Sequence, residues 1–154
     1  MTYTFTSHNK QTTTSLGVFL AEHLQNGDVV TLTGDLGAGK TTLTQGIAKG
    51  LNIEDRVNSP TFNIMKCYFK STKPLFHIDA YRLEDSNSDI GLDEFIGAEG
   101  ISVIEWPMYI SKLLPNEVLS INLIHAGGDE RTITISGNNE HYDKIVTLIR
   151  GASL

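Results

Sequence analysis

Apolar residues recur along this chain at helical and strand-like periods, punctuated by glycine turns. In residues 12–25, Leu16, Phe19, Leu20 and Leu24 fall on one stripe, as a core-facing helix requires. Asn26-Gly27 then supplies a helix stop. Residues 28–33 carry the β-rich run VVTLT, and after a glycine-rich turn residues 42–51 space Leu43, Ile47 and Leu51 one helical turn apart. The order is strand, glycine loop, helix.

Residues 61–69 and 75–79 favour strands separated by the polar turn KSTKP, which predicts an antiparallel pair within a mixed sheet. The run ISVIEW and residues 118–124 and 132–135 read as further strands, with Gly127-Gly128 turning between the last two. Residues 138–151 close the chain with Tyr142, Ile145, Leu148 and Ile149 on one helical face. With no linker or internal repeat, the pattern predicts one α/β domain over residues 1–154, a central mixed sheet flanked by helices.

Composition narrows the setting. An apolar fraction of 40% is ordinary for a globular chain. The single cysteine, Cys67, cannot form an internal disulfide, and the five scattered histidines offer no close-spaced zinc ligands. A reducing cytoplasm is the expected location. MTYTFTSHNK lacks a basic start followed by an apolar stretch, and there is no long apolar run, so neither export nor membrane insertion is expected. Twelve Lys and Arg against eighteen Asp and Glu give a net charge of -6, which disfavours direct binding of DNA or RNA.

Residues 34–41 read GDLGAGKT, a glycine, four residues, then Gly, Lys and Thr. Glycines at 34, 37 and 39 let the backbone take positive φ and turn the amides of Asp35, Leu36, Gly37, Ala38 and Gly39 toward a phosphate. The following helix aims its first amides and positive dipole end at the same anion. Lys40 should reach the β- and γ-phosphates, Thr41 should ligate magnesium, and Thr42 can add a hydroxyl to the α- or β-phosphate. Because the pattern follows a strand and opens a periodic helix, a P-loop NTPase-like three-layer domain binding ATP or ADP with Mg2+ is expected.

Such a site needs a carboxylate near the metal, and two acids end apolar runs: Asp79 after LFHI and Glu105 after ISVI. Each should emerge at the sheet edge beside the ligand if its strand runs parallel to the first. The competing readings are a turn or helix cap before Tyr81 for Asp79, and a surface carboxylate before Pro107 for Glu105. In NSPTF, Thr61 is either a γ-phosphate sensor or a residue at a strand start. Trp106 is either core packing or a site wall.

GDLGAGKTT, NSPTF, HIDAYRL and VIEWP, in this order and at these separations, resemble the bacterial TsaE family, also called YjeE, over nearly the whole chain. The resemblance implies a P-loop ATPase required for threonylcarbamoyladenosine modification of transfer RNA. Its partners would be the TsaB and TsaD proteins, with the transfer RNA met only through that complex. It further implies that Thr41 and Glu105 hold magnesium, that Lys40 grips the phosphates, and that Asp79 orients water or acts as a base. Trp106 becomes a neighbour of the nucleotide, Thr61 falls in a switch-like segment, Thr13 matches an N-terminal nucleotide contact, and Arg131 matches an arginine near the nucleotide.

Two other readings share the P-loop. A small-molecule kinase usually gathers arginines around the transferred group, and Arg56, Arg82, Arg131 and Arg150 form no sequence cluster. A guanine-nucleotide switch would carry Asn-Lys-x-Asp, whereas Asn9-Lys10 is followed by Gln11-Thr12 and precedes the P-loop. The acidic stretch 84–99 carries no interpretable motif.

Overall fold

Seven strands form one sheet in the computed structural model, which describes residues 1–60, 63–69, 73–83 and 91–154. In chain order the elements are β1 (Thr2–Ser7), α1 (Lys10–His23), β2 (Val29–Thr33), α2 (Lys40–Gly50), β3 (Met65–Tyr68), β4 (Leu75–Asp79), β5 (Ile101–Glu105), β6 (Leu119–His125), β7 (Arg131–Gly137) and α3 (Glu140–Gly151). Short 3-10 segments lie at Tyr81–Leu83, Leu92–Glu94 and Pro107–Leu113. The strand order is β1-β7-β6-β2-β5-β4-β3.

The sheet is mixed, as the hydrophobic pattern predicts. β2 runs parallel to both β5 and β6, and β4 runs parallel to β5, while β3–β4, β6–β7 and β1–β7 are antiparallel. Every residue of β4 and β5 is buried, as expected of parallel strands covered on both faces. One face packs against Leu16 and Leu20 of α1, Leu43 and Ile47 of α2, and Ile145 and Ile149 of α3. The other closes over Val29, Ile78 and Ile104 with Leu83, Leu92 and Ile110 from the 3-10 segments.

The patterning does not predict β1. TYTFTS is a short edge strand whose alternation divides between Tyr3 and Phe5, packed against the core, and hydroxyls facing out. Thr2 and Thr4 pair with Ser136 and Thr134 across β7, each at 3.0 Å. β3 begins later than the expected 61–69, because Asn63 and Ile64 turn back to donate to the Pro60 carbonyl. Residues 61, 62, 70–72 and 84–90 lie outside the described residues, and with them Thr61, part of the KSTKP turn and the start of the acidic stretch.

Two contacts fix the helices that matter for the site. A Cβ on Gly17 of α1 would stand 2.5 Å from the Leu43 carbonyl oxygen and 2.6 Å from the Ile47 nitrogen, so only glycine allows α1 this close to α2. That approach brings the first turn of α1 beside the first turn of α2. At the other end, Tyr142 of α3 accepts from the Val29 amide at 3.0 Å and reaches Asp28 Oδ1 at 3.5 Å. Asp28 Oδ2 accepts from the Gln25 amide and meets His141 Nε2 at 2.7 Å. Burial, opposed in part by the hydrogen bond from the Val29 amide and aided by the nearby Asp28 charge, pushes the Tyr142 phenol up to about 12. Among the described residues no helix is long and apolar enough to cross a membrane.

Candidate functional site

β2 delivers the chain into the glycine loop beside β6. At Gly34, φ is 152° and a Cβ would lie 2.5 Å from the Leu123 carbonyl oxygen, so a side chain is excluded. Gly39 takes φ 107° as the N-cap of α2. That cap has no side-chain hydrogen bond, whereas α1 and α3 are capped by Asn9 and Asn139, which accept from Thr12 and Tyr142 at 2.9 and 2.7 Å. The first intrahelical bond of α2 runs from the Leu43 amide to the Gly39 carbonyl, so the amides of Lys40, Thr41 and Thr42 have no acceptor within the helix. Amides left open at a glycine-led helix start are able to receive an anion.

Lys40 is only 7% exposed. Its ammonium donates to the Gly34 carbonyl at 2.7 Å and stands 4.4 Å from the centroid of the Trp106 ring. Trp106 follows β5 in a left-handed conformation, φ 56° and ψ 51°, a strain on the order of 1 kcal/mol or more for a residue with a Cβ. That turn sets the indole against Tyr81, with ring centroids 5.0 Å apart, and stacks it with its plane nearly parallel to that of Tyr109, 6.0 Å away. Trp106 therefore serves as both packing and site wall.

The two strand-end carboxylates are neighbours. Asp79 and Glu105 are register partners at the ends of the parallel strands β4 and β5, 4% and 3% exposed. Asp79 Oδ1 accepts from the Tyr81 amide at 3.0 Å and Oδ2 from Ser59 Oγ at 3.4 Å, so the residue caps a turn and faces the site at once. Glu105 is not at the surface: its Oε2 lies 2.7 Å from Nε2 of the fully buried His77.

These groups line one cleft of about 630 Å3. Of the residues predicted from sequence, Thr13, Leu36, Gly37, Gly39, Lys40, Thr41, Thr42, Asp79, Glu105, Trp106 and Arg131 border it. Asp35 and Ala38 do not; the Ala38 amide donates to the Asp35 carbonyl at 3.0 Å, and the pair shapes the loop from behind. Thr61 lies outside the described residues.

Arg131 has a further task that its sequence position does not suggest. Its Nε donates to the Ala38 carbonyl at 3.1 Å and one terminal nitrogen to the Gly37 carbonyl at 3.3 Å. The other terminal nitrogen donates to the Gly128 and Glu130 carbonyls, both at 2.8 Å. The planar fork ties the glycine loop to the β6–β7 turn and draws two loop carbonyls toward itself.

Sequence reasoning did not single out Lys10, Ser59, Tyr81 and Asp129 as site residues, yet all four border the cleft. Tyr81 had a readable signal, standing two residues past the strand-end acid. Lys10 and Asp129 enter only through tertiary packing. Among the described residues no group of three or more His, Cys, Asp or Glu gathers around a metal position. The Thr41 hydroxyl and the Glu105 carboxylate are hard oxygen donors, and such a sparse set suits Mg2+, which keeps waters and takes phosphate oxygens.

Comparison with known proteins gives the same direction throughout. Residues 7–133 match the model of the family described as Threonylcarbamoyl adenosine biosynthesis protein TsaE. The tRNA threonylcarbamoyladenosine biosynthesis protein TsaE of Bacillus subtilis (strain 168) is 45% identical over 137 residues, covering 89% of this chain and 87% of that protein. Its namesake from Nostoc sp. is 41% identical over 128 residues, covering 79% and 76%. The crystal structure of Bacillus subtilis YdiB superposes with a TM-score of 0.84 at 35% identity, covering 97% of this chain and 95% of that one. With its P-loop, strand-end acids and sheet order in place, this chain belongs to the TsaE family.

Proposed function

We propose that this chain binds and hydrolyses ATP as the nucleotide-driven component of transfer RNA threonylcarbamoyladenosine modification, acting with TsaB and TsaD in the cytoplasm. The observation that carries the reading is the cleft itself. A buried ammonium and an uncapped helix start face two buried, register-paired carboxylates across it. The names of the relatives, which refer to that modification, support the pathway.

In this reading the loop amides and Lys40 hold the phosphate tail, and the Trp106 ring limits where the ammonium can go. Thr41 and Glu105 would hold magnesium, which supplies positive charge to the phosphate oxygens. Asp79, fixed by Tyr81 and Ser59, accepts a hydrogen bond from the attacking water and aligns it with the terminal phosphate. Thr13 and Arg131 complete the walls around the nucleotide. A net charge of -6 leaves contact with transfer RNA to the other subunits. No observation favours the kinase reading.

Reconstitution of the modification from purified components tests this. The modification is expected to continue over many cycles only when this chain and hydrolysable ATP are both present. Equal yield without the chain, or with a non-hydrolysable analogue in its site, would overturn the reading.

A further inference from the structure

His77 carries no assigned task, yet it is the fully buried imidazole directly beneath the carboxylates. It lies two residues before Asp79 on β4, on the same face, and is the register partner of Val103, two residues before Glu105 on β5. Its Nε2 is 2.7 Å from Glu105 Oε2, with side-chain exposures of 0% and 4%. Its Nδ1 has no hydrogen-bond partner among the described residues.

These contacts favour one tautomer. A proton on Nδ1 alone would leave a buried N–H without an acceptor and press a bare Nε2 against a carboxylate oxygen at 2.7 Å. With the proton on Nε2, the short contact becomes a charge-assisted hydrogen bond and only one lone pair stays unmatched. The bond engages Oε2 and restrains the carboxylate of Glu105, a residue that lines the cleft.

We infer that His77 is a positioning residue for Glu105, its Nε2–H holding the carboxylate in the orientation that receives the divalent cation. The inference deepens the proposed function and rests on it. Gln places its amide nitrogen the same number of bonds from Cα as Nε2 and can replace the donor. Leu fills the space without donating, and Asn donates from too short a stem.

The experiment titrates Mg2+, and Mn2+ followed by its paramagnetic resonance, into the ATP-saturated protein, with metal-free ATP binding measured separately. His77→Leu and His77→Asn are expected to weaken apparent metal affinity by about 10- to 100-fold, the usual effect of removing a partner that orients a metal ligand. His77→Gln should recover most of it, and metal-free ATP affinity should stay within about twofold in all three. On a Glu105→Ala background, His77→Leu should cost no further metal affinity. Equal losses in the Gln and Leu variants, an undiminished loss on the Glu105→Ala background, or wild-type metal affinity in His77→Leu would each overturn the inference. His77→Gln, which keeps a polar group of similar reach, decides the matter if the leucine variant does not fold. Wild-type protein showing no metal-dependent ATP binding would instead contradict the proposed function.

Discussion

The Lys40 ammonium lies over the face of Trp106, 4.4 Å from its centroid, and Trp106 is the only tryptophan in the chain. The indole therefore reports on the lysine that the site depends on. Adding ATP with Mg2+ should change Trp106 emission in a saturable way as the ammonium turns to the phosphates. Lys40→Met should shift the emission of the nucleotide-free protein and remove the response. A response of full size in that variant would show that the ring senses something other than Lys40.

Asp79 and Glu105 are register partners, yet they should fail differently when neutralised. Asp79→Asn keeps the turn cap to Tyr81 but loses the charge that aligns water, so hydrolysis should fall by about 100-fold or more with little change in ATP affinity. Glu105→Gln should raise the Mg2+ requirement by at least about tenfold, since even groups that only orient a metal ligand are worth that much. Steady-state hydrolysis across a magnesium series checks both, and superimposable metal curves for the two variants would refute the division of roles.

Arg131 grips the Gly37 and Ala38 carbonyls, so its loss should loosen the loop without touching the metal. Arg131→Ala is expected to weaken ATP binding and to destabilise the fold by about 1–2 kcal/mol, as for a small set of partly exposed hydrogen bonds. Arg131→Lys should rescue little, because an ammonium cannot span carbonyls on two loops. Calorimetric ATP affinity and thermal unfolding of the three proteins test this; full rescue by lysine would argue that only the charge matters.

Tyr142 makes stability sensitive to alkali. Its folded-state value, about 12, lies above the ordinary 10.0 of the unfolded chain. Below the unfolded value the phenol is neutral in both states and its contribution is complete. Between the two values the unfolded chain ionises first, so stability falls as pH rises and levels off above the folded value. Denaturant unfolding across that window should show a steeper decline for wild type than for Tyr142→Phe. Parallel declines would mean that the burial of this phenol does not control the effect.

The fold and the site were readable in the sequence to different depths, for physical reasons. The glycine loop was plain because an anion site made of backbone constrains residue type at Gly34, Gly39 and Lys40 directly. Asp79 and Glu105 were visible because a charge closing a buried strand must emerge where the strand ends. β1 was not, since six alternating residues on an edge carry too weak a period, and their pairing with β7 spans nearly the whole chain. The Arg131 clamp and the His77–Glu105 bond were also hidden, the first tying a strand to a loop and the second joining two paired strands, each across segments distant in sequence. In LFHI, His77 reads simply as one position of a buried run.

The most direct test is calorimetric titration of the folded protein with ATP in the presence of Mg2+, beside Lys40→Ala. Saturable heat from the wild type and an affinity about 10- to 100-fold weaker in the variant are predicted, the value of a hydrogen-bonded charge facing a charge. No heat from ATP, ADP or GTP with the wild type, alone or with TsaB and TsaD, would contradict the account, as would unaltered binding by Lys40→Ala.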